Sequence, residues 1–275
     1  MSRIATAFER LEARRRSALV AYLMAGDPER DSTVPLMHTM VASGADILEL
    51  GVPFSDPMAD GPVIQAAGER ALRNRVTLRD TLNMLQSFRS HDPHTPVVLM
   101  GYLNPIEAMG CHTFAQSAAQ AGVDGVITVD LPPEEADEFV QALARVDIDP
   151  IFLLAPTTTP ARIETICAAA HGFIYYVSLK GVTGAATLDV AAVERKLDEI
   201  RACAKVPIGV GFGIKDAASA ARMAQIADAV VVGSALVERI ADNAADAKAA
   251  QAAVADLLRG MREAMDARSS DVQVA

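Results

Sequence analysis

The sequence predicts an α/β protein: a (β/α)8 barrel with an extra N-terminal helix and a further helix inserted after the second strand. Three observations predict it. Eight short, nearly continuous apolar runs recur along the chain, and each is followed by an amphipathic, Ala-rich stretch. Runs that are apolar on both faces belong to parallel strands covered by helices. The length, 275 residues, is close to the ~250 that such barrels use. A doubly wound open sheet is the rival, but eight strands of like character with no polar edge favour closure.

At the front, Ile4, Phe8 and Leu11 share one helical face, which makes this helix a candidate plug for the barrel bottom. Strands are expected near residues 18–23, 46–50, 96–100, 124–129, 150–154, 173–177, 206–210 and 229–232. The longest gap, between the second and third strands, holds two helical stretches, 62–73 and 78–89, so one of them is the insertion. Helices at 133–145, 160–170 and 189–204 begin with proline or an acidic residue, as helix starts prefer. Residues 243–265 read as an Ala-rich final helix and 269–275 as a frayed tail, leaving 1–268 as a single domain.

Composition excludes several classes. The chain is 51% hydrophobic and 22% charged, so it can bury a core and is not intrinsically disordered. Its net charge of −10 argues against a general nucleic-acid binder. No apolar run reaches the ~18 residues of a membrane span, and the N-terminus lacks a signal-peptide pattern. Cys111, Cys167 and Cys203, odd in number and widely spaced, predict reduced thiols and a cytoplasmic location. Neither the cysteines nor the histidines His38, His91, His94, His112 and His171 have metal-ligand spacing, so no metal is expected.

In a (β/α)8 barrel, ligands bind at the C-terminal ends of the strands. The second strand carries Glu49 among Ile47, Leu48 and Leu50, then runs into a proline-rich loop that brings Asp56 and Asp60 back over the strand ends. A carboxyl in apolar surroundings has a raised pKa, which suits acid or base work near neutrality. The plainer reading makes Glu49 a cap for loop amides and at least one loop aspartate a turn cap. Asn104 and Asp130 follow the third and fourth strands: Asn104 is a candidate hydrogen-bonding residue whose plainer reading is an Asn-Pro turn, and Asp130 a second candidate carboxylate whose plainer reading is positional. After the sixth strand, residues 179–187 form a long glycine-containing stretch, a candidate lid. Glycine turns at Gly211-Phe212-Gly213 and at Gly233-Ser234 end the last two strands, where such barrels often cradle phosphate. Tight strand-to-helix turns would look the same, and neither a Rossmann nor a Walker A pattern is present.

Several blocks together are specific. Ala25-Gly26-Asp27-Pro28, Glu49 through Pro57 with Ala59-Asp60-Gly61-Pro62, Met100 through Pro105, Asp130-Leu131-Pro132, Gly181-Val182-Thr183-Gly184 and Gly211-Phe212-Gly213-Ile214 resemble the tryptophan synthase α subunit family, in order and spacing across essentially the whole chain. The resemblance implies a (β/α)8 TIM barrel and a carbon–carbon lyase. The reaction is retro-aldol cleavage of indole-3-glycerol phosphate to indole and glyceraldehyde 3-phosphate. Glu49 and Asp60 match the family's catalytic carboxylates. Tyr22, Ile64, Met100, Ile127, Val129, Leu153, Tyr175 and Phe212 match the wall around the indole ring. Gly184, Gly213, Gly233 and Ser234 match the phosphate site, and Lys180 and Thr183 fall in the lid. Met24 departs from the family, which often has Thr there.

The resemblance also implies a cytoplasmic αββα heterotetramer. In it a β subunit holding pyridoxal phosphate takes the indole and condenses it with serine, while this chain needs no cofactor. Pro53, Phe54 and Pro57 are expected to be exposed for docking. Two rival functions fit the same barrel: a Schiff-base aldolase using Lys180, and a non-catalytic barrel that only regulates a partner. An exposed Lys180 would not have its pKa lowered enough for the first, and the paired Glu49 and Asp60 speak against the second.

Overall fold

The computed structural model of the chain describes residues 2–178, 190–211 and 213–271. Its strands are β1 (Ala18–Met24), β2 (Ile47–Gly51), β3 (Val97–Gly101), β4 (Gly125–Thr128), β5 (Asp149–Pro150), β6 (Leu153–Leu154), β7 (Ile174–Val177), β8 (Ile208–Gly211) and β9 (Ala229–Val232). All pair in parallel, in the order β5-β4-β3-β2-β1-β9-β8-β7-β6. The two ends of that order are pieces of one continuous segment. Ile151 donates its N–H to Val126 O on one side, and Phe152 O accepts from Tyr175 N–H on the other. The sheet therefore closes on itself as eight barrel strands, the fifth in two pieces. The pairing of β9 with β1 rules out an open doubly wound order.

Alternation along β1 shows how closure sorts the side chains. Leu19, Ala21 and Leu23 face the helices, while Val20 faces inward with Ile47, Val98, Ile127, Phe173 and Val231. Helix α1 (Arg3–Glu12) is capped by the Ser2 hydroxyl and buries Ile4, Ala7, Phe8 and Leu11. Ile4, Phe8 and Leu11 join the interior cluster, with the Phe8 and Phe173 rings 6.0 Å apart. The N-terminal helix thus plugs the barrel bottom, leaving the opposite end for chemistry.

Helix α2 (Thr33–Ala42) links β1 to β2. The long gap holds α3 (Pro62–Arg73), with proline in its first turn, and α4 (Leu78–Arg89), started by a Thr77/Asp80 capping box. Two helices also follow β3: α5 (Leu103–Met109) and α6 (Cys111–Ala121). The Asn104-Pro105 pair, read as a turn, lies in the first turn of α5. There the missing N–H of proline loses no helical bond. The helix expected at 133–145 divides into a 3-10 turn (Pro133–Glu135) and α7 (Asp137–Ala144). Helices α8 (Pro160–Ala169), α9 (Val190–Arg201) and α10 (Ala217–Met223) follow. Residue Asn243 caps α11 (Ser234–Asp242) and does not open the final helix. That helix, α12, spans Ala247–Asp271 and so runs on into the segment read as a tail.

One expectation is corrected. Cys167, on α8, and Cys203, just past α9, are joined as a disulfide, with Cα atoms 5.9 Å apart. For these two, the odd number and wide spacing of the chain's cysteines predict reduced thiols instead. Their 36-residue separation says nothing about helix packing, and it is the approach of α8 to α9 that brings them together. Cys111 is free and buried.

Candidate active site

Glu49 sits in the middle of β2, in register with Tyr22 on β1 and Val98 on β3. Val98 points into the barrel, and the matched register points Glu49 the same way. Only 1% of it is exposed, and its Oε2 has no hydrogen-bond partner. Burial, then the negative charge of Asp60, push its carboxyl up to about 8. A carboxyl that titrates there is protonated at neutrality and can deliver the proton.

Asp60 reaches the same cavity from the loop between β2 and α3. That loop is fixed at several points. Gln65 donates to the Asp60 carbonyl at 2.9 Å, and the Asp60 N–H donates to Pro57 O at 3.1 Å. The N–H of Ala59 donates to the Tyr102 hydroxyl at 3.0 Å, and Phe54 stacks on the Tyr102 ring with centroids 5.2 Å apart. Burial raises the Asp60 carboxyl to about 6, while a hydrogen bond from Tyr102 pulls it back. The two carboxyls therefore differ near pH 7: Glu49 keeps its proton and Asp60 has lost most of its own.

Between them lies a cavity of about 260 Å³. Of the expected ring contacts, Tyr22, Ile64, Met100 and Tyr175 line it. Ile127, Val129 and Leu153 do not; they pack within the barrel interior, beside Tyr175 and Met100. Of the expected phosphate residues, Gly213, Gly233 and Ser234 line the cavity. Gly213 has φ of 75°, a conformation that glycine adopts freely and branched residues do not. Helix α11 starts at Ser234 with no side-chain cap, so its first amides are available to an anion. Helix α10, by contrast, is closed by its own Asp216/Ser219 capping box. Phe212, Lys180, Thr183 and Gly184, with the rest of the expected lid, lie outside the described residues.

The other candidates separate cleanly. Asp130 accepts from the Leu103 N–H at 2.8 Å and so caps α5. Asp56 is exposed and accepts from its neighbour Ser55, as a turn aspartate does. Asn104 is exposed on α5 and does not line the cavity. Met24 packs behind Tyr22 with Ala67 and Ala71. Pro53 is buried, not exposed; it is Met58 that stands out from the loop, 84% exposed. Among the described residues, no group of three or more His, Cys, Asp or Glu side chains is placed to hold a metal.

Sequence reasoning missed Tyr102, although it directly follows β3 in a segment already singled out. It also missed Lys215 and Glu238, which line the cavity. Glu238 was findable: it follows Ser234 by four residues on one helix, and so shares its face.

Residues 8–266 match the family model for the tryptophan synthase alpha chain. The chain belongs to the tryptophan synthase alpha chain family. It is 65% identical to the alpha chain of Thioalkalivibrio sulfidiphilus over 266 residues, covering 97% of this chain and all of that one. A crystal structure of the alpha subunit from Legionella pneumophila superposes with a TM-score of 0.90 at 46% identity, covering 97% of this chain and 99% of that one. The tryptophan synthase structure from Mycobacterium tuberculosis gives 0.87 at 38% identity, covering 96% and 98%. Both solved structures agree with the barrel. Among the described residues, no helix is long and apolar enough to cross a membrane.

Proposed function

We propose that Glu49 and Asp60 carry out the reaction of this family, cleavage of indole-3-glycerol phosphate to indole and glyceraldehyde 3-phosphate. The chain is a lyase of tryptophan biosynthesis by family; the assignment of roles is our reading. The observation that carries it is a buried carboxyl with a free oxygen, Glu49, facing the same apolar cavity as a second carboxyl of lower pKa.

The chemistry needs such a pair. Protonated Glu49 gives its proton to C3 of the indole ring, which makes the ring a leaving group and puts positive charge on its nitrogen. The Asp60 carboxylate meets the ring N–H and stabilises that charge. The Glu49 carboxylate then takes the proton of the neighbouring side-chain hydroxyl. The carbon–carbon bond breaks, the aldehyde forms, and the bonding electrons restore neutral indole. Glu49 ends protonated, ready for another turnover, so no cofactor is required. Tyr22, Ile64, Met100 and Tyr175 would hold the flat ring, with Ile127, Val129 and Leu153 supporting it from within the barrel. The Gly213 backbone and the open start of α11 at Gly233 and Ser234 would hold the phosphate.

Indole is small and neutral, and it is lost if released to solvent. The family pairs with a β subunit, and we extend this to an αββα heterotetramer whose pyridoxal phosphate resides on β. The exposed Met58 and half-buried Pro57 make the Asp60 loop the docking face, which would let docking set the position of Asp60. A phosphorylated substrate does not cross membranes, which puts the work in the cytoplasm; the cysteine argument for that location no longer stands. The test is release of indole from indole-3-glycerol phosphate by the purified chain, slow alone and faster with β subunit. No indole under either condition would refute the reading.

A further inference from the structure

The turn after β1 is bolted to α3 by a bidentate ion pair. Asp27, only 2% exposed, accepts from Arg70 Nε at 2.6 Å and from Arg70 Nη2 at 2.9 Å. One turn along α3, Asn74 at its end donates to the carbonyls of Gly26 at 3.0 Å and Pro28 at 2.7 Å. Burial drives the Asp27 carboxyl up and Arg70 draws it back down. Desolvating such a pair offsets most of its attraction, so net stability is a poor account of why it is there. What the planar fork does fix is orientation.

The element so oriented is α3. It begins at Pro62, two residues after Asp60, and its Ile64 lines the cavity. Its Gln65 holds the Asp60 carbonyl. Its Ala67 and Ala71 pack with Tyr22, Met24 and Val237, the last on α11. Helix α3 thus touches the carboxylate loop, the ring wall and the helix that opens at the phosphate end. Neither Asp27 nor Arg70 lines the cavity.

We propose that the Asp27–Arg70 pair is a positioning device for the reaction, fixing α3 so that Asp60 and Ile64 meet the ring in register with Glu49. This rests on Glu49 and Asp60 being the catalytic pair. Small misplacements of such groups cost rate far more than they cost binding. Of the residues proposed to hold the phosphate, Gly213 lies on another loop, and α3 meets the helix that starts at Ser234 only through Val237.

The test uses the full chain with Arg70→Ala, Arg70→Lys and Asp27→Asn, assayed with indole-3-glycerol phosphate and normalised to folded protein by circular dichroism. Arg70→Ala should lower kcat roughly tenfold or more while KM moves less than about threefold. Arg70→Lys, which keeps the charge but not the fork, should recover part of the loss. Hydrogen exchange should quicken across residues 57–66 in Arg70→Ala and stay unchanged across β3. If Arg70→Ala fails to fold, Asp27→Asn and Arg70→Lys carry the same comparison. A lowered Tm with kcat per folded molecule within twofold of the parent would overturn the proposal, as would unchanged exchange across 57–66. Absence of indole release by the parent would instead strike the underlying reading, and the exchange measurement would still judge the pair.

Discussion

The hydroxyl of Tyr102 accepts a hydrogen bond at 3.0 Å from the N–H of Ala59, the residue before Asp60. The same hydroxyl lowers the Asp60 carboxyl against the upward push of burial. One side chain at the end of β3 therefore fixes both the place and the charge of the loop carboxylate. Tyr102→Phe keeps the ring against Phe54 but removes the hydroxyl that holds the loop and lowers the Asp60 carboxyl. We expect kcat to fall roughly tenfold, the scale of one lost hydrogen bond to a charged group. Steady-state kinetics at pH 7 would show it, and an unchanged kcat would remove Tyr102 from the account.

The two carboxyls set a pH window. Asp60 must be ionised, and it titrates at about 6; Glu49 must be protonated, and it titrates at about 8. The profile of kcat/KM should be bell-shaped with limbs near these values, belonging to the interacting pair. A rate that still climbs above pH ~9 would contradict a protonated Glu49.

The same shift carries a stability consequence. Glu49 has a folded pKa of about 8 against an ordinary 4.5. Below the ordinary value both states hold the proton and burial of the neutral acid is tolerated. As pH rises toward 8 the unfolded chain gives the proton up and the native one cannot, so stability falls. Glu49→Gln should match the parent in urea unfolding near pH 4.5 and exceed it near pH 8. The gain should be on the order of a few kcal/mol. Equal stability at both pH values would show that Glu49 is not buried as a neutral acid.

At the phosphate end, Gly213 has φ of 75°. Gly213→Val strains that turn and puts a branched side chain where the backbone should meet the anion. We expect KM to rise at least about tenfold with a smaller change in kcat. Calorimetry with the substrate and its dephosphorylated form should show the parent, and not the variant, preferring the phosphate. Equal binding of both by the parent would dismiss the cradle.

Much of this was legible in the sequence because the signal and the physics coincide. Strands buried on both faces are apolar throughout, so β1 to β4 and β9 stand out within a residue or two, and α3 and α4 match their expected spans. Glu49 was legible as one carboxyl inside such a strand. What was not legible depends on packing across the fold. The Cys167–Cys203 pairing comes from two helices meeting, α5 hides behind an Asn-Pro signal, and Asp130 looks functional until its bond to the Leu103 N–H is seen. Tyr102 was passed over because its role is to hold the loop, which no local pattern reports. Pro53 is expected to be exposed for docking, yet it is buried, because burial depends on what packs over a loop and not on the loop's own residues.

The central claim is that Glu49 moves the proton that breaks the carbon–carbon bond. The most direct measurement is single-turnover release of indole by Glu49→Gln, which keeps the size of the side chain and removes its acid. The account predicts a loss of roughly 10²-fold or more, with the protein folded and still binding substrate. Near-normal indole release by folded Glu49→Gln would contradict it.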